Sequence, residues 1–394
     1  MSVAGFGKEY NFLIRVLAVL NAYFSIMPHF TKKTIDIDHR ILCVVIVAFF
    51  LLFLLKTKLK LSGNTVFALF IVGISVVFVS FNAPPSFDYY TKWILFAISI
   101  LLYIVCLNCA GEINESTLVF VFICNAFPFV FYLIESLDST YYTYTKLGYK
   151  LKLTFENENS AAMQLLLLGC IFFLYARRCS ERRKKVLKTI CFIMIFVDAY
   201  LIFLTQSRSS LFAILFILVF SIFNRLDFLI NKKTIMIGVA FPLLFAIGFV
   251  FLYRQGYQSI VLLGRNLFNG REEMWSSVFE QPLSNMLFGA YHVYTSGTGS
   301  LPFQLHNGIV DMIASYGVIV TVCFVYALNK ILIRIYERKS RTGTMIVICC
   351  LALIIQSCGE AALLIGNRCS FICMLFVFLE ANHPKIACSK ARLE

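Results

Sequence analysis

Apolar runs close to the ~20 residues that a helix needs to cross hydrocarbon recur from one end of the chain to the other, and polar or charged residues gather between them. The runs fall at about 11–29, 40–56, 65–81, 93–109, 117–136, 161–177, 188–205, 209–224, 234–253, 307–330, 344–359 and 362–380. They predict roughly twelve transmembrane helices, the first being the weakest because Arg15 interrupts it. Segments of ~10 residues alternating apolar with polar, the mark of an outer-membrane barrel, do not occur. The expected fold is therefore all-α and polytopic, a single transmembrane domain over 1–394. The chief departure from the pattern is the connection 254–306, long enough to hold structure of its own. Within it Met274, Trp275, Val278 and Phe279 recur at helical spacing and Pro282 follows as a stop, which predicts an amphipathic helix near 271–281 lying on the membrane surface. The stretch 297–300, GTGS, reads as a hinge beyond it. A covering helix with no chemistry fits the same pattern.

Composition strengthens the membrane reading. Of 394 residues 60% are hydrophobic and 14% charged, and the mean hydropathy of +0.81 exceeds what a soluble core of this length hides. The formal net charge of +14 is concentrated in connections. Arg177, Arg178, Arg182, Arg183, Lys184, Lys185 and Lys188 crowd one, Lys330, Arg334, Arg338, Lys339 and Arg341 another, and Lys56, Lys58 and Lys60 a third. Short loops rich in Lys and Arg stay in the cytoplasm, so these lie inside, both termini are cytoplasmic, and 30–39, 82–92, 137–160, 206–208, 254–306 and 360–361 face outward. With no aromatic-interleaved basic groove, the charge is a topological signal aided by anionic headgroups, and no nucleic-acid partner is expected. Most of the 14 cysteines sit inside apolar runs, where they act as small hydrophobes, and no Cys/His ligand spacing suggests a metal. The N-terminus lacks a cleavable signal pattern, so the first span is expected to remain.

Three basic residues stand out on the outward side, where such residues are scarce. Arg208 lies in TQSRSS, 205–210, a turn too short for anything but a tight reversal. The following helix points its unpaired N–H groups outward, and a guanidinium beside them adds five donors suited to phosphate. Taken singly, Arg208 reads also as an arginine snorkelling to headgroups. Arg271, in NGREEMW, reads alone as a surface salt-bridge residue. His306 opens the tenth span; an imidazole, with an ordinary pKa of about 6.5, is a natural general base toward a hydroxyl, or a plain interfacial residue.

TQSRSS, the GRxxxW of NGREEMW, the LFGA of 287–290 and the LHNGIVDMIASYG that opens the tenth span, in this order and topology, resemble the O-antigen polymerase and O-antigen ligase superfamily. The resemblance covers about the second half, from ENENSAA at 156–162 onward. It implies a GT-C-like glycosyltransferase of the bacterial inner membrane, with the site facing the periplasm in a partly helical loop. The implied donor is an undecaprenyl-diphosphate-linked glycan, held at its diphosphate by Arg208 and Arg271, and the implied base toward the acceptor hydroxyl is His306. The reaction implied is inverting and metal-independent, without a cofactor. A polymerase, the favoured reading, extends another lipid-linked glycan; a ligase moves the chain onto lipid A core. The bilayer and a chain-length regulator complete the expected partners. Arg265, Asn307 and Asn159 join the two arginines as candidate substrate contacts, with Lys150, Lys152, His292 and Asn157 further outward polar residues.

Other features weigh less. Asp36 and Asp38 form a DxD that binds divalent ions in some membrane glycosyltransferases but is more often solvated. Glu360 and Arg368 flank the last span and are expected to pair with each other or with a site residue. Asn159 or Ser160 is expected to cap the sixth span, and Asp311, a turn below His306, is a candidate to orient its ring. Twelve spans with both ends inside also suit a flippase for lipid-linked sugars, which predicts a polar mid-membrane path and paired halves. Mid-span charges are few, Asp198 being the clearest, and no repeat is visible.

Overall fold

A computed structural model describes residues 115–145, 148–155, 158–181, 183–223, 229–257, 261–262, 265–266, 271–289, 305–337 and 341–360, with single helical positions between 11 and 26. Among these residues helix dominates. The order is α1 (Glu115–Glu135), a 3₁₀ turn (Ser139–Tyr141), strands β1 (Tyr142–Thr145) and β2 (Gly148–Leu151), then α2 (Glu158–Glu181), α3 (Lys185–Thr205), α4 (Arg208–Ile222) and α5 (Lys232–Arg254). Strands β3 (Val261–Leu262) and β4 (Arg265–Asn266), helices α6 (Arg271–Phe279), α7 (Leu283–Phe288), α8 (Gly308–Glu337) and α9 (Arg341–Gln356) follow. Five of these helices, α1, α2, α3, α5 and α8, contain stretches long and apolar enough to cross a membrane, and α4 and α9 are shorter apolar helices. The predicted spans at 40–56, 65–81, 93–109 and 362–380 lie outside the described residues.

The helices begin and end where polar residues interrupt the apolar runs. α2 is the central one: Leu165, Leu166, Leu167, Leu168, Cys170 and Phe172 are all fully buried. α3, α4, α8 and α9 complete the main core with Ile195, Ile202, Ile214, Leu332 and Ile348. Apolar side chains also cover the outer surface of a helix like α3, where Ile193, Phe196 and Phe203 are exposed, as a lipid-facing side requires. A second, smaller core joins α5, α6 and the start of α8 through Ala246, Val250, Trp275, Val278, Leu305, Ile309 and Ile313.

Several expectations change here. Helix α2 starts at Glu158, so Asn159 stands in its first turn and is not the cap expected from the sequence; helix ends are the least legible part of an apolar run. The connection before it folds into an antiparallel hairpin pairing Tyr142 with Leu151 and Tyr144 with Tyr149. The helix expected near 271–281 is present as α6, but it packs against α5 and α8 with Trp275 and Val278 each 1% exposed, and does not simply rest on the bilayer. α8 is two helices meeting at Gly317, whose φ of 82° and ψ of 164° are not helical. The stretch 297–300 and the DxD of Asp36 and Asp38 lie outside the described residues.

The alternation of helices sets the two ends apart. The basic turn at Arg183 and Lys184 joins α2 to α3 at one end, where Lys232 at the start of α5 also pairs with Glu337 at the finish of α8. The opposite end collects the start of α2, the α3–α4 turn, the finish of α5, the start of α8 and the finish of α9.

Candidate active site

A cavity of about 710 Å³ opens at that second end. It is lined by residues distant in sequence: Lys150 of β2, Glu158 and Asn159 of α2, Gln206 to Ser209, Arg271 and Trp275 of α6, and Cys358 to Glu360 after α9. A wall of aromatic side chains, Phe212 and Phe216 on α4 with Phe241, Phe245 and Phe249 on α5, completes it.

The TQSRSS turn builds one corner of the cavity. Gln206 takes a left-handed conformation, φ 57° and ψ 19°, that closes α3 with its N–H on Phe203 O, and α4 starts two residues later at Arg208. Ser207 occupies the N-cap position without a side-chain cap bond, its hydroxyl lying instead 3.2 Å from that of Ser210. The first N–H groups of α4 are thus left without that side-chain acceptor, beside the Arg208 side chain on the cavity wall. Gln356 of α9 donates to Ser210 Oγ at 2.8 Å and ties the turn to the last described helix.

GRxxxW has a geometric explanation. Residues four apart share a helix face, so Arg271 and Trp275 both reach the cavity from α6. The indole N–H of Trp275 donates to Leu305 O at 2.6 Å, fixing the backbone one residue before His306. His306 itself holds φ 49°, a conformation uncommon for a residue with a side chain. The next residue secures it: Asn307 Oδ1 accepts from the N–H groups of Ile309 and Val310, each at 3.1 Å, and caps α8. Asn307 Nδ2 donates to Pro242 O at 3.1 Å and reaches Cys358 O at 3.5 Å. Its side chain is fully buried and does not line the cavity, so the structure gives this candidate contact a capping part.

Glu360 sits between the candidate cation and the candidate base. Its Oε2 lies 3.2 Å from His306 Nδ1 and its Oε1 3.7 Å from Arg271 Nη2, with only 10% of the side chain exposed. Gly359 makes this approach possible: a Cβ there would press on Ser209 at 3.1 Å and sit 3.5 Å from Arg271 Nη1. Of the two partners offered for Glu360, the structure shows site residues; Arg368 lies outside the described ones. Burial of a carboxylate needs such partners, and that requirement is the only signal by which Glu360 was visible in the sequence.

The structure thus brings Arg208, Arg271 and Asn159 onto one cavity; His306 does not line it and is joined to it through Glu360, which does. His306 is 29% exposed on its side chain, and its Nε2 has no partner among the described residues. Lys150 also lines the cavity, paired with Glu158 at 2.7 Å. Arg265 stands in β4, where only its backbone is described, and His292 lies outside the described residues. Among the described residues no group of three or more His, Cys, Asp or Glu is arranged to hold a metal.

Comparison with known proteins follows the same residues. Residues 193–325 match the family described as O-antigen ligase. The chain is also similar to a teichuronic acid biosynthesis protein of Bacillus subtilis, 25% identical over 216 residues. That stretch covers 49% of this chain and 43% of the relative, so less than half of the relative's length is spanned. No solved structure matches. Over these stretches the chain is thus similar to proteins of the O-antigen ligase type and to a protein of polysaccharide biosynthesis, and five of its described helices are long and apolar enough to cross a membrane. Arg208, Arg271 and His306 lie within the matched stretch, whereas Asn159 and Glu360 lie outside it.

Proposed function

We propose that this chain is a glycosyltransferase of the inner membrane that takes glycan from undecaprenyl diphosphate on the periplasmic face and acts as a repeat-unit polymerase of surface polysaccharide. The observation that carries the reading is the sharing of one cavity by Arg208, Arg271 and the N-terminus of α4, opposite an aromatic wall. A lipid diphosphate has both characters: an anion for the guanidinium groups and helix end, and an isoprenoid chain for Phe212, Phe216, Phe241, Phe245 and Phe249. The location of this cavity at the end away from the basic turn is in keeping with a periplasmic site under the positive-inside rule.

The chemistry follows from the parts. An acceptor hydroxyl attacks the anomeric carbon while His306 Nε2 takes its proton. The bond from that carbon to the diphosphate oxygen breaks, and its electron pair leaves with the diphosphate. Arg208 and Arg271 stabilise the growing charge, a kind of preorganised contribution worth about 3–4 kcal/mol per donor in other enzymes. Direct displacement inverts the anomeric carbon. Asn159 and Lys150 stand on the same cavity as contacts for sugar.

The ligase remains the second reading because the matched family is described by that name. The relative's description, teichuronic acid biosynthesis, favours the making of a polymer. Purified protein in vesicles, supplied only with undecaprenyl-diphosphate-linked repeat units, is expected to yield a ladder of lengths. Product formed solely on addition of lipid A core identifies a ligase instead, and translocation of lipid-linked sugar without transfer identifies a flippase.

A further inference from the structure

Glu360 lies outside the stretch that matches the family, yet it is the charged partner of two candidate residues of the site, Arg271 and His306. We propose that Glu360 is the positioning residue of this site: its Oε2 holds the Nδ1 side of His306 so that Nε2 faces the acceptor, while its Oε1 keeps Arg271 company until a diphosphate takes its place.

The contact is built into the fold. Gly308 N–H donates to Ser357 O at 2.9 Å, and Asn307 Nδ2 reaches Cys358 O, so the turn after α9 is laced to the segment that carries His306. Trp275 fixes Leu305, the residue before His306 in the chain. With its neighbours pinned, the ring is offered to one carboxylate, and a carboxylate accepting from Nδ1–H leaves the lone pair on Nε2. That is the tautomer a base toward a hydroxyl needs. The second oxygen behaves differently. At 3.7 Å from Arg271 Nη2 it is an ion pair without hydrogen-bond distance, loose enough to yield. A bound diphosphate brings more negative charge to Arg271 than the carboxylate does, and it feels Glu360 as a like charge nearby. The same residue therefore speeds transfer and weakens retention of the lipid diphosphate, which is also the leaving group.

This inference rests on the glycosyltransferase reading, and its test separates the two. Full-length wild type, E360Q and E360D are placed in vesicles, with binding of undecaprenyl diphosphate and turnover of a lipid-linked repeat unit measured on each. E360Q removes the charge at constant size. It is expected to bind undecaprenyl diphosphate about 3- to 10-fold more tightly while kcat falls at least about 10-fold, and as far as the roughly 10⁴-fold seen when an amide replaces the carboxylate behind a base histidine. E360D keeps the charge but shortens the reach, so kcat falls without tighter binding. Tighter binding with slower turnover is not what a merely structural loss produces, since that weakens both. If E360Q binds no more tightly than wild type, or its kcat stays within about twofold, the proposal is overturned. Should E360Q fail to fold, E360D decides: a kcat equal to wild type overturns the proposal. Should wild type transfer no glycan at all, the glycosyltransferase reading falls, and the tightening in E360Q alone decides the part of Glu360.

Discussion

Gly289 and Gly317 meet backbone to backbone, 28 positions apart in the chain by their numbers, and neither has room for a side chain. A Cβ on Gly289 would come within 2.6 Å of Ser315 O and 2.8 Å of Gly317 N, and one on Gly317 would collide with Leu287 O and the Phe288 backbone. Both also hold positive φ, 84° and 82°. This contact explains two of the sequence motifs at once, because LFGA ends α7 at Gly289 and IASYG breaks α8 at Gly317. It orients α7 against the half of α8 that begins beside His306.

Replacing Gly317 by alanine therefore adds steric overlap to backbone strain of about 1–3 kcal/mol. The expected outcome is a loss of thermal stability of several degrees in detergent, with G289A behaving alike. Thermal unfolding monitored by tryptophan fluorescence checks it, and an unchanged midpoint for G317A would contradict the close approach.

How much of this was legible beforehand varies with the kind of feature. The seven helices from α1 to α5, α8 and α9 were readable because each apolar run must pair its own backbone groups in lipid, and helix is how a single segment does so. Helix α6 was readable from the spacing of Met274, Trp275, Val278 and Phe279. The burial of Trp275 was not, since a surface-lying amphipathic helix and a packed one share one pattern. The kink at Gly317 hides because glycine is common in membrane helices without breaking them. The pairing of Glu360 with His306 joins residues separated by a whole pair of helices, and only tertiary packing puts them in contact. A polar residue beside His306 reads as a substrate contact, and only the bonds of Asn307 to Ile309, Val310 and Pro242 reveal its capping part.

Asn307 thus offers a second measurement. N307A removes a cap worth about 0.5–2 kcal/mol and leaves buried backbone groups unpaired, so thermal stability is expected to fall. N307D keeps the acceptor for Ile309 and Val310 but turns an oxygen toward Pro242 O, and it is expected to be at least as damaging. A rise in donor KM at unchanged thermal stability would instead return Asn307 to the substrate contacts.

Trp275 separates packing from positioning. Trp275→Phe keeps an aromatic ring on the cavity but removes the N–H that holds Leu305 O at 2.6 Å. An unsatisfied buried carbonyl costs about 1–3 kcal/mol. Because that carbonyl precedes His306, W275F is expected to lower kcat more than it raises donor KM. Equal changes in both, or a change in KM alone, would place Trp275 on the donor and not behind the base.

The two arginines make the most direct prediction. A diphosphate offers paired oxygens that a planar guanidinium grips with two parallel bonds, whereas a lysine supplies only a point charge. R208A and R271A are each expected to lower kcat/KM for the lipid-linked donor about 10²- to 10³-fold, and the lysine variants about tenfold. Since both side chains line one cavity, the double variant R208A/R271A is expected to lose less than the product of the single losses, as groups acting on one ligand do. Initial rates over a range of donor concentrations give the four values of this cycle. A fully multiplicative loss would mean that Arg208 and Arg271 act independently, and the shared diphosphate site would then have to be abandoned.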